Sequence, residues 1–308
     1  MIFITGVTGF VGSNLSRYLS SNGFDVSNLL DLRNVSCQDD ISTILLNQTI
    51  SISSIIHLAG KAHDLKSTTS SQVYYQVNTE LTKKVYDAFL VSEARVFVTL
   101  SSVKAVADAV QGELTEEHIP NPITHYGKSK LLAEEYILSK KLPDGKRVFI
   151  LRPCMIHGPG NKGNLNLLYN LVSHGWPWPL GAFNNKRSFC SIDNLLFIIK
   201  ELIEREDIPS GIYNIADNEP ISTNSLISLM ARSMNKNGKI LKISPSIINF
   251  IAKFGDHMKL PLNSERLGKL TENYIVSNQK LLNAIGKELP VNAIDGMNKT
   301  FVSFNKSL

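Results

Sequence analysis

The chain has 308 residues, 43% of them apolar and 19% charged, with a formal net charge of +5. That balance excludes a disordered or fibrous protein, and scattered basic residues without a dense Lys/Arg run speak against a nucleic-acid partner. Cys37, Cys154 and Cys190 are too few and too far apart for a disulfide framework or a zinc site, so no metal is expected.

Taken in chain order, Met1-Ile2-Phe3-Ile4 reads as a short buried strand, and Thr5-Gly6-Val7-Thr8-Gly9-Phe10-Val11-Gly12 follows it directly. Glycines 6, 9 and 12 allow a tight turn, close approach of a pyrophosphate and close packing of the next helix. A helix starting near residue 10 would aim its first amides, those of Phe10 and Val11 among them, and its positive dipole end at the phosphates. Residues 24–32 predict a second strand ending at Asp31, and 41–47 are helix-compatible, with the usual helix between strands two and three absent or trimmed. Residues 54–60 read as a strand running into Leu58-Ala59-Gly60. A helix over 74–91, a strand over 95–102, a helix over 128–140 and a strand over 147–151 complete an alternation that means a parallel sheet covered on both faces.

Past Arg152-Pro153 the composition changes. Glycine, proline and asparagine thicken through 157–185, which is loop chemistry. A helix at 193–205 and a strand at 211–216 return to the first unit, and the remainder reads as mostly helical. The expected division is therefore a nucleotide-binding domain over 1–153, rejoined by 188–216, and a second domain over 154–308. Residues 246–254 have amphipathic helical spacing, read here as packing on the protein's own core rather than on a membrane. No apolar run approaches the roughly 18 residues of a membrane span. The opening strand leaves no room for a signal peptide, and a cytoplasmic protein without membrane insertion is expected.

Four features carry chemistry. The glycine turn is the first. The second is Asp31, placed to bind adenosine ribose hydroxyls and to repel a 2′-phosphate, which favours NAD; Arg33, two residues on, would accommodate NADP instead. The third is Tyr126 and Lys130, at i and i+4 on one helix face, where the ammonium is expected to lower the tyrosine pKa for proton exchange with a hydroxyl or ketone. Tyr136 and Lys140 repeat that spacing. Pro120-Asn121-Pro122 places Tyr126 near a helix start, and ten residues of helix turn Tyr136 away by about 280°, so Tyr136 is read as core packing. The fourth is Ser101-Ser102 at a strand end, the place where parallel sheets bind ligands, with Ser102 able to share a substrate oxygen's proton with Tyr126.

In order along the chain, the glycine turn, His57-Leu58-Ala59-Gly60, Ser102/Tyr126/Lys130, Leu151-Arg152-Pro153 with His157-Gly158-Pro159-Gly160, and Arg187-Ser188-Phe189 with Ile192-Asp193-Asn194 resemble the extended short-chain dehydrogenase/reductases, in their nucleotide-sugar epimerase/dehydratase branch. The resemblance implies an α/β, Rossmann-type doubly wound parallel sheet with a smaller, mostly helical C-terminal substrate domain. It implies Ser102, Tyr126 and Lys130 as catalytic residues. It implies NAD, or NADP, held by Gly6, Gly9, Phe10, Val11, Gly12, Asp31 or Arg33, Leu58, Ala59, Gly60, Tyr126 and Lys130. It further implies a nucleotide-sugar substrate contacted by Asn164, Arg187 and Arg266, and a homodimer through helices near 74–91 and 127–140. Sugar 4,6-dehydratases of this branch carry Asp-Glu after the catalytic Ser/Thr, and Val103-Lys104 stands there in this chain, which argues against 4,6-dehydration. His157 replaces a common Tyr and is read as a structural change, a substrate contact being the second reading. Reduction of a UDP-4-keto-6-deoxy sugar for polysaccharide precursors is slightly favoured over 4-epimerisation of a UDP-hexose or N-acetylhexosamine. A steroid- or dihydroflavonol-type reductase and a non-catalytic dinucleotide-binding protein fit the same motifs less well.

Overall fold

The computed structural model describes residues 1–27, 51–62, 70–161, 163–258 and 263–305. Asp31, Arg33, Cys37, Lys162 and the region read as helix-compatible at 41–47 lie outside them. A six-stranded parallel sheet has the order β2-β1-β3-β4-β6-β9, from β1 (Ile2–Thr5), β2 (Val26–Ser27), β3 (Ser54–His57), β4 (Val96–Leu100), β6 (Arg147–Pro153) and β9 (Gly211–Ile215). These strands read as apolar runs because helices cover both faces. Register puts Thr5, His57 and Thr99 side by side at the carboxyl ends of β1, β3 and β4. The chain leaves β1 for β2 on one side and β3 on the other, so a switch-point crevice opens there.

Helix α1 (Phe10–Ser21) packs against α6 (Ile192–Glu204) on one face, burying Leu15, Leu19, Leu195 and Ile199 with Ile4 and Val98. On the other, α2 (Ser71–Tyr74) runs through a π-helical segment, Tyr75–Glu80, into α3 (Leu81–Val91), beside α4 (His125–Ser139). Phe89, Tyr86 and Phe97 stack there with Ile55 and Ile137.

The stretch read as loop at 157–185 contains α5 (Asn164–Ser173), which buries Leu165, Tyr169 and Val172 in a second core. Two further pairings also form, β7 (Met155–His157) with β8 (Phe189–Ser191), and β5 (Glu113–Leu114) with β10 (Ile275–Val276). The second core is completed by α7 (Thr223–Ser233), α8 (Pro245–Met258), α9 (Ser264–Thr271) and α11 (Ala293–Asn305), with α10 (Gln279–Ile285) lying against β9. Among the described residues, no helix is long and apolar enough to cross a membrane.

Candidate active site

The glycine turn is a consequence of close packing. Gly6 has φ of +70°, and a Cβ there would lie 2.6 Å from the Ala59 nitrogen. A Cβ on Gly12 would lie 2.2 Å from the Gly6 carbonyl oxygen. The turn is thus pressed against both Leu58-Ala59-Gly60 and the start of α1. Gly9 caps α1 without any side-chain acceptor, and no acidic residue stands in the first turn. No acidic side chain of the helix's own first turn competes with an anion there.

Behind the turn lies a buried polar cage. Thr5 Oγ1 accepts the amides of Leu58 and Ala59, each at 3.2 Å, and donates to His57 Nδ1 at 2.8 Å. His57 Nε2–H donates to Thr82 Oγ1 at 3.0 Å, since that hydroxyl's own proton goes to the Asn78 carbonyl. His57 is therefore neutral, and burial followed by the nearby Lys130 charge lowers its pKa to about 3. Asn78 clamps both backbone groups of Lys61 and donates to Ser129 Oγ on α4.

This cage fixes α4 through Ser129, and with it the face that carries Tyr126 and Lys130. Thr124 caps the helix through Gly127, so α4 begins at His125, ahead of the expected 128, and Tyr126 stands in its first turn. The Tyr126 hydroxyl is hydrogen-bonded to Ser102, and its ring meets Tyr74 edge-on at 6.1 Å. Ser102 Oγ also accepts the Lys104 amide. Lys130 Nζ donates to the Leu100 carbonyl at 2.8 Å and lies 3.2 Å from where a Gly60 Cβ would stand. Burial lowers the Lys130 pKa to about 8, opposed by the Glu134 carboxylate. Ser102, Tyr126, Lys130 and Gly60 thus form one contiguous surface beside the glycine turn.

The expected lowering of the tyrosine pKa is not found in the protein alone. Burial raises it, Tyr74 adds to the rise, and the Ser102 hydrogen bond only partly offsets them. The Lys130 ammonium is instead directed at a backbone carbonyl. Tyr136 packs against the edge of the core on this face, as read, with its hydroxyl turned outward. It is half-buried, donating to the Asp87 carboxylate at 2.8 and 2.9 Å.

Two residues of this region went unread in the sequence, and a third, Lys104, was read only as the absence of a dehydratase carboxylate. Glu134 is buried and ionically paired with Arg152 at 2.5 Å, and it accepts the Ser101 hydroxyl. Asn78 had no local signal beyond being a polar residue at a helical position. Lys104 lies 4.3 Å from the Tyr274 ring centre and donates to the Asp108 carbonyl. Its pKa is lowered first by burial and also by the charges of Arg187 and Lys269, with Asp108 and Glu272 opposing.

Arg187 is therefore close enough to the Ser102 side of the site to be felt at Lys104. It is partly buried and donates to the Lys269 carbonyl of α9, the helix that carries exposed Arg266. Asn164 is the exposed first residue of α5, on a separate element. His157 is fully buried. Its Nδ1 lies 2.9 Å from Thr300 Oγ1 and its Nε2 3.3 Å from Asp217. It ties α11 to β7, as the structural reading of that residue expected.

A family model described as the NAD dependent epimerase/dehydratase family matches residues 2–216. The chain belongs to this family. It is 30% identical to UDP-glucose 4-epimerase of Vibrio cholerae over 76% of each chain. It is 29% identical to N-acetyl-alpha-D-glucosaminyl-diphospho-ditrans,octacis-undecaprenol 4-epimerase of Escherichia coli O157:H7, over 76% of this chain and 72% of that one. MoeE5 in complex with UDP-glucuronic acid and NAD superposes with a TM-score of 0.75 at 20% identity, covering 100% of this chain and 99% of that one. That likeness shows the Rossmann-type fold. As a member of the NAD-dependent epimerase/dehydratase family, the chain is an enzyme.

Proposed function

We propose that this chain catalyses oxidation and reduction at C4 of a sugar carried on a nucleoside diphosphate, with 4-epimerisation as the net result. The observation that carries the reading is the Tyr126–Ser102 hydrogen bond beside Lys130, at the carboxyl edge of the parallel sheet and next to the glycine turn. Two relatives at 29–30% identity are named as 4-epimerases, which supports this reading, and one at 25% is named as a GDP-6-deoxy-D-mannose reductase, which keeps reduction of a 4-keto sugar as the second reading.

The residues fit a dinucleotide. The uncapped start of α1, with Gly9, Phe10 and Val11, suits the pyrophosphate; Gly6, Gly12 and Leu58-Ala59-Gly60 shape the crevice, and Lys130 with Tyr126 stands at its far end. NAD, or NADP, supplies the hydride acceptor and donor when bound. The Ser102 hydroxyl holds the C4 oxygen. The Tyr126 side chain, as a phenolate stabilised by the Lys130 ammonium, takes the C4 hydroxyl proton in the oxidation and, as the resulting phenol, returns it in the reduction. Arg187, with Lys104 and Lys269 near it and Arg266 on the same helix as Lys269, gathers positive charge suited to a diphosphate. Asn164 is a further candidate contact. Residues 1–153 with 188–216 serve the cofactor, and 154–308 supply the substrate contacts. The subunits pair through α3 and α4, whose Val91, Leu132 and Leu138 are exposed.

The test supplies purified protein with UDP-glucose and UDP-N-acetylglucosamine and follows formation of the C4 isomers. Interconversion without net cofactor use is expected, falling about 10³-fold in Tyr126→Phe while dinucleotide binding persists. Full turnover by Tyr126→Phe overturns the site assignment. Stoichiometric loss of NADH or NADPH with UDP-4-keto-6-deoxy-N-acetylglucosamine, and no isomerisation, makes the protein a reductase.

A further inference from the structure

Helix α8 does only half of what its sequence pattern promised. Ile248, Ala252 and Gly255 face inward, and Ile248 and Ala252 join the second core. Ile247, Phe250, Ile251, Phe254 and Met258 are between 42% and 72% exposed. At about 100° per residue these five fall within one arc of roughly 100°, separate from the buried side. They form a continuous apolar stripe along a helix about 21 Å long. Isolated exposed apolar residues need no explanation, but a contiguous stripe marks a contact surface.

The charge around this stripe selects its partner. From residue 239 to 258 the chain carries Lys239, Lys242 and Lys253, all exposed, against one acid, Asp256, while Lys236 just before them donates to the Ser173 carbonyl. The Asp256 carboxylate is used internally, accepting the Ser264 amide at 2.9 Å and its hydroxyl at 2.6 Å at the start of α9. Exposed Leu241 lies in the segment that leads into the helix. Apolar side chains flanked by lysines match a helix lying in the surface of an anionic bilayer. A second copy is a poorer fit, because a two-fold contact through this face would set one lysine collar against the other.

We propose that α8 docks the enzyme on an anionic membrane surface, with Phe250 and Phe254 entering the headgroup boundary and the lysines contacting lipid phosphates. Nothing spans the bilayer in this arrangement, and it does not depend on the reaction assigned to Tyr126. It is nevertheless linked to the site. Helix α8 packs on α9, which carries Arg266 and supplies the carbonyl held by Arg187. The surface offered to lipid is thus one helix removed from the candidate diphosphate arginines.

The test is flotation of the full chain with vesicles of phosphatidylcholine alone or mixed with phosphatidylglycerol. Wild type is expected to float with the anionic vesicles, roughly tenfold or more above the neutral ones, and to be released as salt rises. Phe250→Ser/Phe254→Ser, both at exposed positions and checked for native circular dichroism, is expected to lower bound protein roughly tenfold. Lys239→Gln/Lys242→Gln is expected to erase the preference for anionic lipid. Absence of vesicle binding by folded wild type overturns the proposal. So does binding that the phenylalanine pair leaves unchanged, which would be adsorption of a basic protein by charge alone. Self-association of wild type that the same pair abolishes, without vesicle binding, would assign the face to a second copy.

Discussion

Two buried polar clusters sit beyond the carboxyl ends of the strands, and they are wired differently. In the first, Glu134 of α4 pairs with Arg152 of β6 and accepts the Ser101 hydroxyl at the end of β4. In the second, His157 of β7 bridges Thr300 of α11 and Asp217, whose carboxylate also receives the Ser191 amide and the Asn194 side chain. The second cluster fastens a terminal helix. The first lies along the face that carries Tyr126 and Lys130. Glu134 follows Lys130 by four residues and Tyr126 by eight, and Ser101 immediately precedes Ser102. Burying charge is costly in either place, yet only the first cluster adjoins Ser102, Tyr126 and Lys130, the groups proposed to handle protons. Arg152 Nη1 has no hydrogen-bond partner among the described residues, and neither has Oδ1 of Asn214, its register neighbour on β9.

The largest break of this contrast is Glu134→Ala. It leaves the Arg152 guanidinium buried and uncompensated, and a stability loss of about 3–5 kcal/mol is expected in denaturant melts. Glu134→Gln is the sharper instrument. A structural role alone would change stability, whereas a positioning role also moves the titration of Lys130. The Glu134 carboxylate holds that pKa up, so its neutralisation lowers it further below about 8. The limb of the kcat–pH profile assigned to Lys130 should shift to lower pH, with kcat down roughly tenfold and KM little changed. An unmoved profile would reduce Glu134 to a packing residue.

His157→Ala tests the other cluster. It unpairs the buried Asp217 from its imidazole partner while the Ser191 and Asn194 contacts remain, so a loss of about 3 kcal/mol is expected. Turnover per folded molecule should stay within about twofold. A matching fall in kcat would mean that α11 reaches the chemistry after all, and the contrast between the clusters would fail.

A third break comes from pH. The folded-state pKa of His57 is about 3 against an unfolded 6.5, so the unfolded chain binds the extra proton between those values. Stability carried by the neutral ring is therefore complete above pH 6.5 and is lost as pH falls towards 3. His57→Gln should flatten that acid limb of the stability curve. Lys130 acts in the opposite window. Its folded pKa near 8 lies below the ordinary lysine value of 10.5, so stability rises as pH climbs through that interval.

The central sheet was legible because its strands are continuous apolar runs, and the glycine turn because its spacing has a steric cause, seen in the 2.2 Å approach at Gly12. The Ser102, Tyr126 and Lys130 cluster was legible from a strand end and a helix start. The supporting shell was not. Glu134 looks like one more helical surface charge until its i+8 relation to Tyr126 is noticed. Arg152 closes an apolar strand, and a charge in that position demands a partner that only the tertiary fold identifies. Helix α5 was hidden by the glycine and asparagine around it. The strands β7 and β8 have three residues each, and such short pieces pair because of what surrounds them rather than by their own pattern.

The smallest expected effect decides between two tyrosine–lysine pairs that sequence spacing alone leaves equivalent. Tyr126 is held by Ser102 at the sheet edge, and burial drives the Lys130 pKa down. Tyr136 is held by Asp87 across two helices, with Lys140 at 4.6 Å and Lys83 at 5.4 Å from its ring centre. The Lys140 pKa is raised, chiefly by its hydrogen bond to Tyr136. The two lysines shift in opposite directions because one is withdrawn from water and the other is not. An amine kept in solvent beside a tyrosine gains a partner, and an amine taken out of solvent becomes able to give up its proton near neutral pH. Tyr136→Phe removes a half-exposed bridge to Asp87, and a stability loss of about 1 kcal/mol or less is expected, with kcat unchanged. If turnover fell with Tyr136→Phe and survived in Tyr126→Phe, the proton-handling site would have to move ten residues along α4, to a face that the glycine turn does not reach.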